Sequence, residues 1–168
     1  VGRELTELLE RVDAAQFAAF AAEALADRGR WFFTGQGRSG LSAQMAAMRF
    51  MHLGRESHVL GEATAPSVRS GDRLVVVSGS GTTPVSVGFA TIAKGEGARV
   101  LLVTHTPSSP LGDLADLTLV SPVGHSDQLM GTLFEQSALI LLDAVARHVA
   151  EVDPAARAAM AHRHTNMQ

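Results

Sequence analysis

The stretch DRLVVVSGSGTTPVSVGFATIAKGEG, residues 72–97, decides how this 168-residue chain is read. Leu74 to Val77 form an uninterrupted apolar run, as in a strand of a parallel sheet covered on both faces. Ser78, Gly79, Ser80, Gly81, Thr82 and Thr83 follow as a loop of two glycines and four hydroxyls. Pro84 then suits the first turn of a helix, where its missing N–H costs nothing. A strand passing through such a loop into a helix is the repeating unit of an α/β sandwich.

The same alternation extends in both directions. Upstream, residues 30–35 (RWFFTG) read as a strand, 41–54 (LSAQMAAMRFMHLG) as a helix ending at Gly54, and 56–61 (ESHVLG) as a second strand. Downstream, 98–105 (ARVLLVTH) and 116–121 (DLTLVS) are strands separated by the turn-rich 108–115 (SSPLGDLA). Residues 128–152 make a long, mostly apolar helix, and 153–168 a last helix, opened by Asp153 and Pro154, with its tail. Before the first strand, Leu5, Leu8, Leu9, Val12, Phe17, Phe20, Ala24 and Leu25 fall at helical spacing, so a helix is expected over 4–27 with Asp27 and Gly29 as its stop. The expected architecture is one α/β domain over 1–168, a flavodoxin-like three-layer sandwich with a five-stranded parallel sheet between helices. Ligands of such sheets sit beyond the carboxyl ends of the strands.

Composition narrows the function classes. Hydrophobic residues make up 46% of the chain but aromatics only 5%, so the core is built from aliphatic side chains and alanine. A net charge of −3 with no basic block gives a nucleic-acid backbone little to attract it. Cysteine is absent, which excludes disulfides, thiolate metal sites and cysteine nucleophiles. No stretch approaches the roughly 20 apolar residues of a membrane-spanning helix. The start, VGRELTELLERVD, carries carboxylates where a signal peptide needs a basic and then an apolar run, so a cytoplasmic protein is expected.

Two Gly-Ser loops compete as ligand sites. Gly35, Gln36, Gly37, Arg38, Ser39 and Gly40 fit the G-x-G-x-x-G of a dinucleotide cradle, with Glu62 as the acid about 20 residues on. The second loop, 78–83, has more donors than one helix cap needs. Glycine-freed N–H groups, hydroxyls and about half a positive charge at the helix start suit a phosphate monoester. Two such loops at adjacent strand ends point to one hydroxyl-rich ligand with one phosphate, a sugar phosphate rather than a dinucleotide.

On these residues the chain resembles the sugar isomerase (SIS) domain family. Within it, GQGRSG, MRFMHLG (48–54), GEATAP (61–66), SGSGTT (78–83), GTLFE (131–135) and RHTN (163–166), in this order, resemble the 6-phospho-3-hexuloisomerases. The chain departs from that pattern at Gln36 and Thr82, where Ala and Glu are common, and in a shorter segment before GTLFE. The resemblance implies conversion of D-arabino-3-hexulose 6-phosphate to D-fructose 6-phosphate in the ribulose monophosphate pathway of formaldehyde fixation. It also implies coupling to 3-hexulose-6-phosphate synthase, a homotetramer with active sites at subunit contacts, and neither cofactor nor metal.

An enediol route needs a base at carbon and a proton donor at oxygen. Glu135, near the start of an apolar helix, is the first candidate base; burial would raise its pKa and the helix N-terminus would lower it. Glu62, directly after a strand, is the alternative base or a sugar ligand. His52 stands at a helix end. His164 lies in the RHTN tail, which the resemblance makes able to reach another subunit's site, and histidine titrates near neutrality. Gly37, Arg38, Ser39, Arg49, Ser78, Gly79, Ser80, Thr82 and Thr83 are the candidate substrate and phosphate contacts. The remaining histidines, His58, His105, His125, His148 and His162, show no metal-ligand spacing and read as surface or packing residues. Two other classes compete: a sugar-phosphate-binding regulator, for whose output domain 168 residues leave no room, and a small oxidoreductase, which leaves the second loop unexplained.

Overall fold

The structure, a computed structural model, describes residues 1–26 and 29–167. Five parallel strands, β1 (Trp31–Gly35), β2 (Ser57–Val59), β3 (Arg73–Val77), β4 (Arg99–Thr104) and β5 (Leu117–Val120), pair in the order β2-β1-β3-β4-β5. The helices are α1 (Gly2–Leu9), α2 (Ala14–Leu25), α3 (Arg38–His52), α4 (Pro84–Gly95), α5 (Pro110–Leu114), α6 (Thr132–Val152) and α7 (Pro154–Arg163). The sheet flanked by helices on both faces is the α/β sandwich that the strand pattern predicts.

Side chains alternate across the sheet, as a strand's two-residue period requires. Trp31, Phe33, Val75, Val77, Leu101, Val103 and Leu119 pack against α2, α3 and α6, whose Phe20, Phe50 and Leu142 complete that layer. Phe32, Leu74, Val76, Val100 and Leu102 face Ala90 and Ala93 of α4 and Leu111 of α5. Small residues on α3 and α4 let these helices lie close to the sheet.

The N-terminal segment differs from the expected single helix over 4–27. Asp13 adopts an extended backbone, and its carboxylate accepts hydrogen bonds from Ala15 N and Gln16 N at 2.8 and 2.9 Å. A short acidic side chain at this position caps a new helix instead of continuing the old one. The expected stop at Asp27 lies outside the described residues. Residues 110–114, within the segment read as turn-rich, form a short helix whose first turn is capped by Ser109 Oγ accepting from Gly112 N.

Charged side chains knit the amino-terminal rim of the sheet. Asp72, 4% exposed, accepts from Arg30 N, Arg69 N and the Arg30 guanidinium, the last at 2.7 Å. Burial alone would raise that carboxyl's pKa, but the hydrogen bonds from Arg30 and Arg69 outweigh it and hold it below the ordinary value. The opposite rim carries the loops. After β1 the chain turns to β2 on one side, and after β3 to β4 on the other, so loops 36–40 and 78–83 flank the topological switch.

Candidate active site

The two loops at the switch are built by different uses of glycine. A Cβ on Gly40 would stand 2.7 Å from Gly35 O, so the first and last glycines of GQGRSG close the β1–α3 turn upon itself. Gly37 between them has φ 58°, a left-handed backbone, and caps α3. In the second loop Gly81, at φ 68°, lies so near Ser109 that a Cβ there would come within 2.0 Å of its Oγ.

The second loop is held from outside by hydrogen bonds to its carbonyls. Thr104 Oγ1 donates to Gly79 O at 2.8 Å and Leu111 N to Gly81 O at 3.0 Å. Ser80 Oγ accepts from Thr82 N and from Thr82 Oγ1 at 3.3 and 3.0 Å, leaving its own hydrogen to donate. Thr83 stands at the N-cap of α4, yet its side chain makes no capping bond. Ser78 Oγ and Ser86 Oγ are buried without a hydrogen-bond partner among the described residues. A buried hydroxyl left unpaired is costly, so these donors, gathered at the N-terminus of a 12-residue helix, suit an anion that accepts several hydrogen bonds.

Glu135 stands in the first turn of α6, next to Phe134, whose ring lies against Gly79 of the second loop. Its carboxylate Oε2 accepts from Arg38 Nε of α3. Ser42 Oγ lies 3.4 Å from Arg38 O and 3.3 Å from Glu135 O, bridging the first turns of α3 and α6. The Glu135 side chain is 18% exposed and that of Arg38 63% exposed, so the carboxylate is covered on most sides but not sealed from solvent.

His52 and His164 form a second cluster. Their rings stack at 5.3 Å between centroids, and Arg163 Nη1 donates to His52 O at 3.1 Å. His52 is buried; desolvation, then the charges of Arg49 and His164, push its pKa below the ordinary imidazole value. Arg49 pairs with Asp143 at 3.3 Å and, with Met45 and Met48, lines a cavity of about 160 Å³ beside the two histidines. This cluster occupies the last turn of α3, whereas Arg38 opens the same helix. At 1.5 Å per residue the two ends are roughly 20 Å apart. Within one chain, Glu135 and Arg38 therefore share one site while His52, Arg49 and His164 share another. Glu62 is exposed after the edge strand β2, and its carboxylate pairs with no cation among the described residues.

The SIS domain matches residues 24–160. The 3-hexulose-6-phosphate isomerase of Mycobacterium gastri is 38% identical over 173 residues, covering 98% of this chain and 86% of that protein. The chain belongs to the SIS domain family.

Among other SIS relatives, the 3-hexulose-6-phosphate isomerase of Bacillus subtilis is 36% identical over 82% of this chain and 79% of its own. The crystal structure of a hypothetical Methanococcus jannaschii protein, from which a function of 3-hexulose-6-phosphate isomerase was inferred, superimposes with a TM-score of 0.88 at 30% identity. That match covers 99% of this chain and 96% of that one.

Two features of this SIS domain escape a reading of the sequence. His105, at the carboxyl end of β4, lies against the backbone of Gly79 and the ring of Phe134, whereas its spacing alone marks it only as a surface or packing residue. The N-terminal segment also straps the connection from β5 to α6: Gln16 Oε1 accepts from Val120 N, and Arg11 Nη2 donates to Pro122 O. Glu4 accepts from Ser126 Oγ, Asp127 N and Gln128 Nε2 at 3.1, 3.1 and 2.7 Å. Only tertiary contact reveals either relation. Among the described residues no group of three or more His, Asp or Glu side chains gathers to hold a metal, and no helix is long and apolar enough to cross a membrane.

Proposed function

We propose that this SIS domain is a 6-phospho-3-hexuloisomerase, converting D-arabino-3-hexulose 6-phosphate to D-fructose 6-phosphate through an enediol. The observation that carries the reading is that Glu135, paired with Arg38 beside loop 36–40, follows Phe134, whose ring lies against Gly79 of the hydroxyl-rich loop 78–83. The 3-hexulose-6-phosphate isomerases among its relatives support the choice of sugar.

In this reading Ser78, Gly79, Ser80, Thr82 and Thr83 hold the phosphate, while Gly37, Arg38 and Ser39 border the sugar. Glu135 takes the proton from C2 and returns one to C3, and the hydroxyl proton of O2 passes to O3. The net change moves a carbonyl from C3 to C2 without gain or loss of electrons. Arg38, already hydrogen-bonded to the base, aims it and places positive charge beside the enediolate. A substrate with its carbonyl at C3 and O6 phosphorylated forms no ordinary five- or six-membered ring, so no ring-opening step is needed. Glu62 serves as a sugar ligand or as the alternative base.

The histidines enter through assembly. Because His52 and His164 sit at the far end of α3, a neighbouring subunit supplies them as proton shuttles to this site, with Arg49 beside them. The exposed Leu41, Met45 and Met48 on α3 provide an apolar face for such a contact. A cytoplasmic homotetramer built on a single domain over 1–168, fed by a 3-hexulose-6-phosphate synthase, accounts for these features.

The decisive assay generates 3-hexulose 6-phosphate in situ from ribulose 5-phosphate and formaldehyde with a synthase. Fructose 6-phosphate is then followed through coupled NADPH formation. Rapid protein-dependent NADPH supports the isomerase; silence from folded protein with a working coupling system overturns it.

A further inference from the structure

We infer that His105 is a substrate-binding residue of this site, donating a hydrogen bond from Nε2 to the phosphate held by loop 78–83. The inference rests on the sugar-phosphate reading above and adds a residue that neither the Gly-Ser motif nor the proposed acid–base groups include.

Three observations carry it. His105 is the first residue after β4, on the rim where the loops after β1 and β3 also emerge. The Cδ2 and Nε2 atoms of its ring lie 3.1 Å from the point where a Cβ on Gly79 would stand, so the ring rests directly on the backbone of the loop. On its other side the ring meets Phe134 edge-on, with centroids 5.5 Å apart, next in sequence to Glu135. The imidazole thus spans the interval between the hydroxyl loop and the start of α6.

Thr106 engages Nδ1, which leaves Nε2 as the nitrogen open to a ligand. His105 Nδ1 and Thr106 Oγ1 are 3.0 Å apart. In the neutral tautomer in which Thr106 donates to Nδ1, and equally in the imidazolium, Nε2 carries a hydrogen. A phosphate monoester bears about −1.5 to −2 charges near neutrality. The loop itself offers hydroxyls, amides and the α4 N-terminus but contains no cationic side chain, and Arg38 is engaged with Glu135. An imidazole N–H that rests on this loop adds a ring donor to those hydroxyls and amides. Gly79 has no side chain to separate the ring from the loop, and a Cβ there would crowd the imidazole.

The test compares three full-length proteins: wild type, His105→Phe, which keeps an aromatic ring without a donor, and His105→Gln, which keeps a donor near the position of Nε2. Binding of fructose 6-phosphate and of inorganic phosphate is measured by calorimetry, and turnover in the coupled assay. The expected result is that His105→Phe weakens both ligands roughly ten- to hundredfold, the loss of one hydrogen bond to a charged group. It raises KM in step and leaves kcat within about twofold, while His105→Gln recovers most of the affinity. Unchanged binding in His105→Phe overturns the inference, as does equal loss in both variants, which would make the ring a packing element. A fall in kcat at unchanged KM overturns it too. Wild-type protein that binds neither ligand overturns the sugar-phosphate reading itself, a distinct outcome.

Discussion

Arg38 and Glu135, 97 positions apart in the sequence, meet as an ion pair where the first turns of α3 and α6 converge. The pair places the candidate base beside loop 36–40 and fixes the direction of its carboxylate. Glu135→Gln keeps the shape and a hydrogen-bonding side chain but removes the base. Its kcat is expected to fall by about two orders of magnitude or more while fructose 6-phosphate still binds. Single-turnover kinetics alongside calorimetry separate the two effects. Near-normal turnover would shift the role of base to Glu62.

Loop 78–83, the proposed phosphate site, yields a second expectation, because its hydroxyls are bonded differently. Ser80 Oγ already accepts two hydrogen bonds from Thr82, whereas the Thr83 side chain makes no capping bond. Thr83→Ala is therefore expected to remove only the proposed ligand contact, and Ser80→Ala also to loosen the loop. The double variant is expected to raise KM at least tenfold, since each lost bond is worth about 1 kcal/mol. Circular dichroism and melting should show little change in Thr83→Ala. Unchanged KM in the double variant would put the phosphate elsewhere.

The fold was legible because its signals are local and repeated. The run Leu74–Val77, the loop after it and Pro84 specify strand, turn and helix within 13 residues, counting from Asp72 to Pro84, and similar units recur along the chain. The split of the first helix was not legible, because Leu8, Leu9, Val12 and Phe17 keep apolar spacing across the break while Asp13 interrupts the backbone. For the candidate site, the Gly-Ser motifs indicated the crevice but not the partition of the acid–base residues. The sequence puts Arg38 before and His52 at the end of one helix, but it does not say that Glu135, 97 positions from Arg38, joins Arg38 and not His52. His105 lies in no motif, and its relation to Gly79 arises only from the pairing of β3 with β4.

His52 makes the stability of the fold depend on pH. Burial and the nearby charges of Arg49 and His164 lower its pKa in the folded state, so the unfolded chain binds the proton more readily. The stabilisation is complete above the unfolded value of about 6.5 and is lost as pH falls from there through the lowered folded value. The lowered Asp72 and Asp116 act in the same direction but in the more acidic carboxylate range. Melting temperatures between pH 7.5 and 5 are expected to fall more for wild type than for His52→Gln. Parallel profiles would remove His52 as the source.

Glu4 holds the segment that leads into the helix of the candidate base. Its three hydrogen bonds to Ser126, Asp127 and Gln128 hold the segment ending in Leu129 and Met130, which are 83% and 102% exposed. Met130 adopts φ 51° immediately before Gly131, the N-cap of α6, so the path of this segment sets where Glu135 begins. Glutamine at position 4 keeps an acceptor oxygen but weakens charge-assisted bonds, and alanine removes them. Glu4→Ala is expected to lower kcat several-fold with little change in the binding of inorganic phosphate, because loop 78–83 is untouched, and Glu4→Gln to fall between. Hydrogen exchange should rise in residues 124–131 of Glu4→Ala and stay unchanged in β3 and β4. Equal losses of phosphate binding and turnover would instead make the contact a general support of the fold, since only an effect routed through α6 spares the phosphate loop.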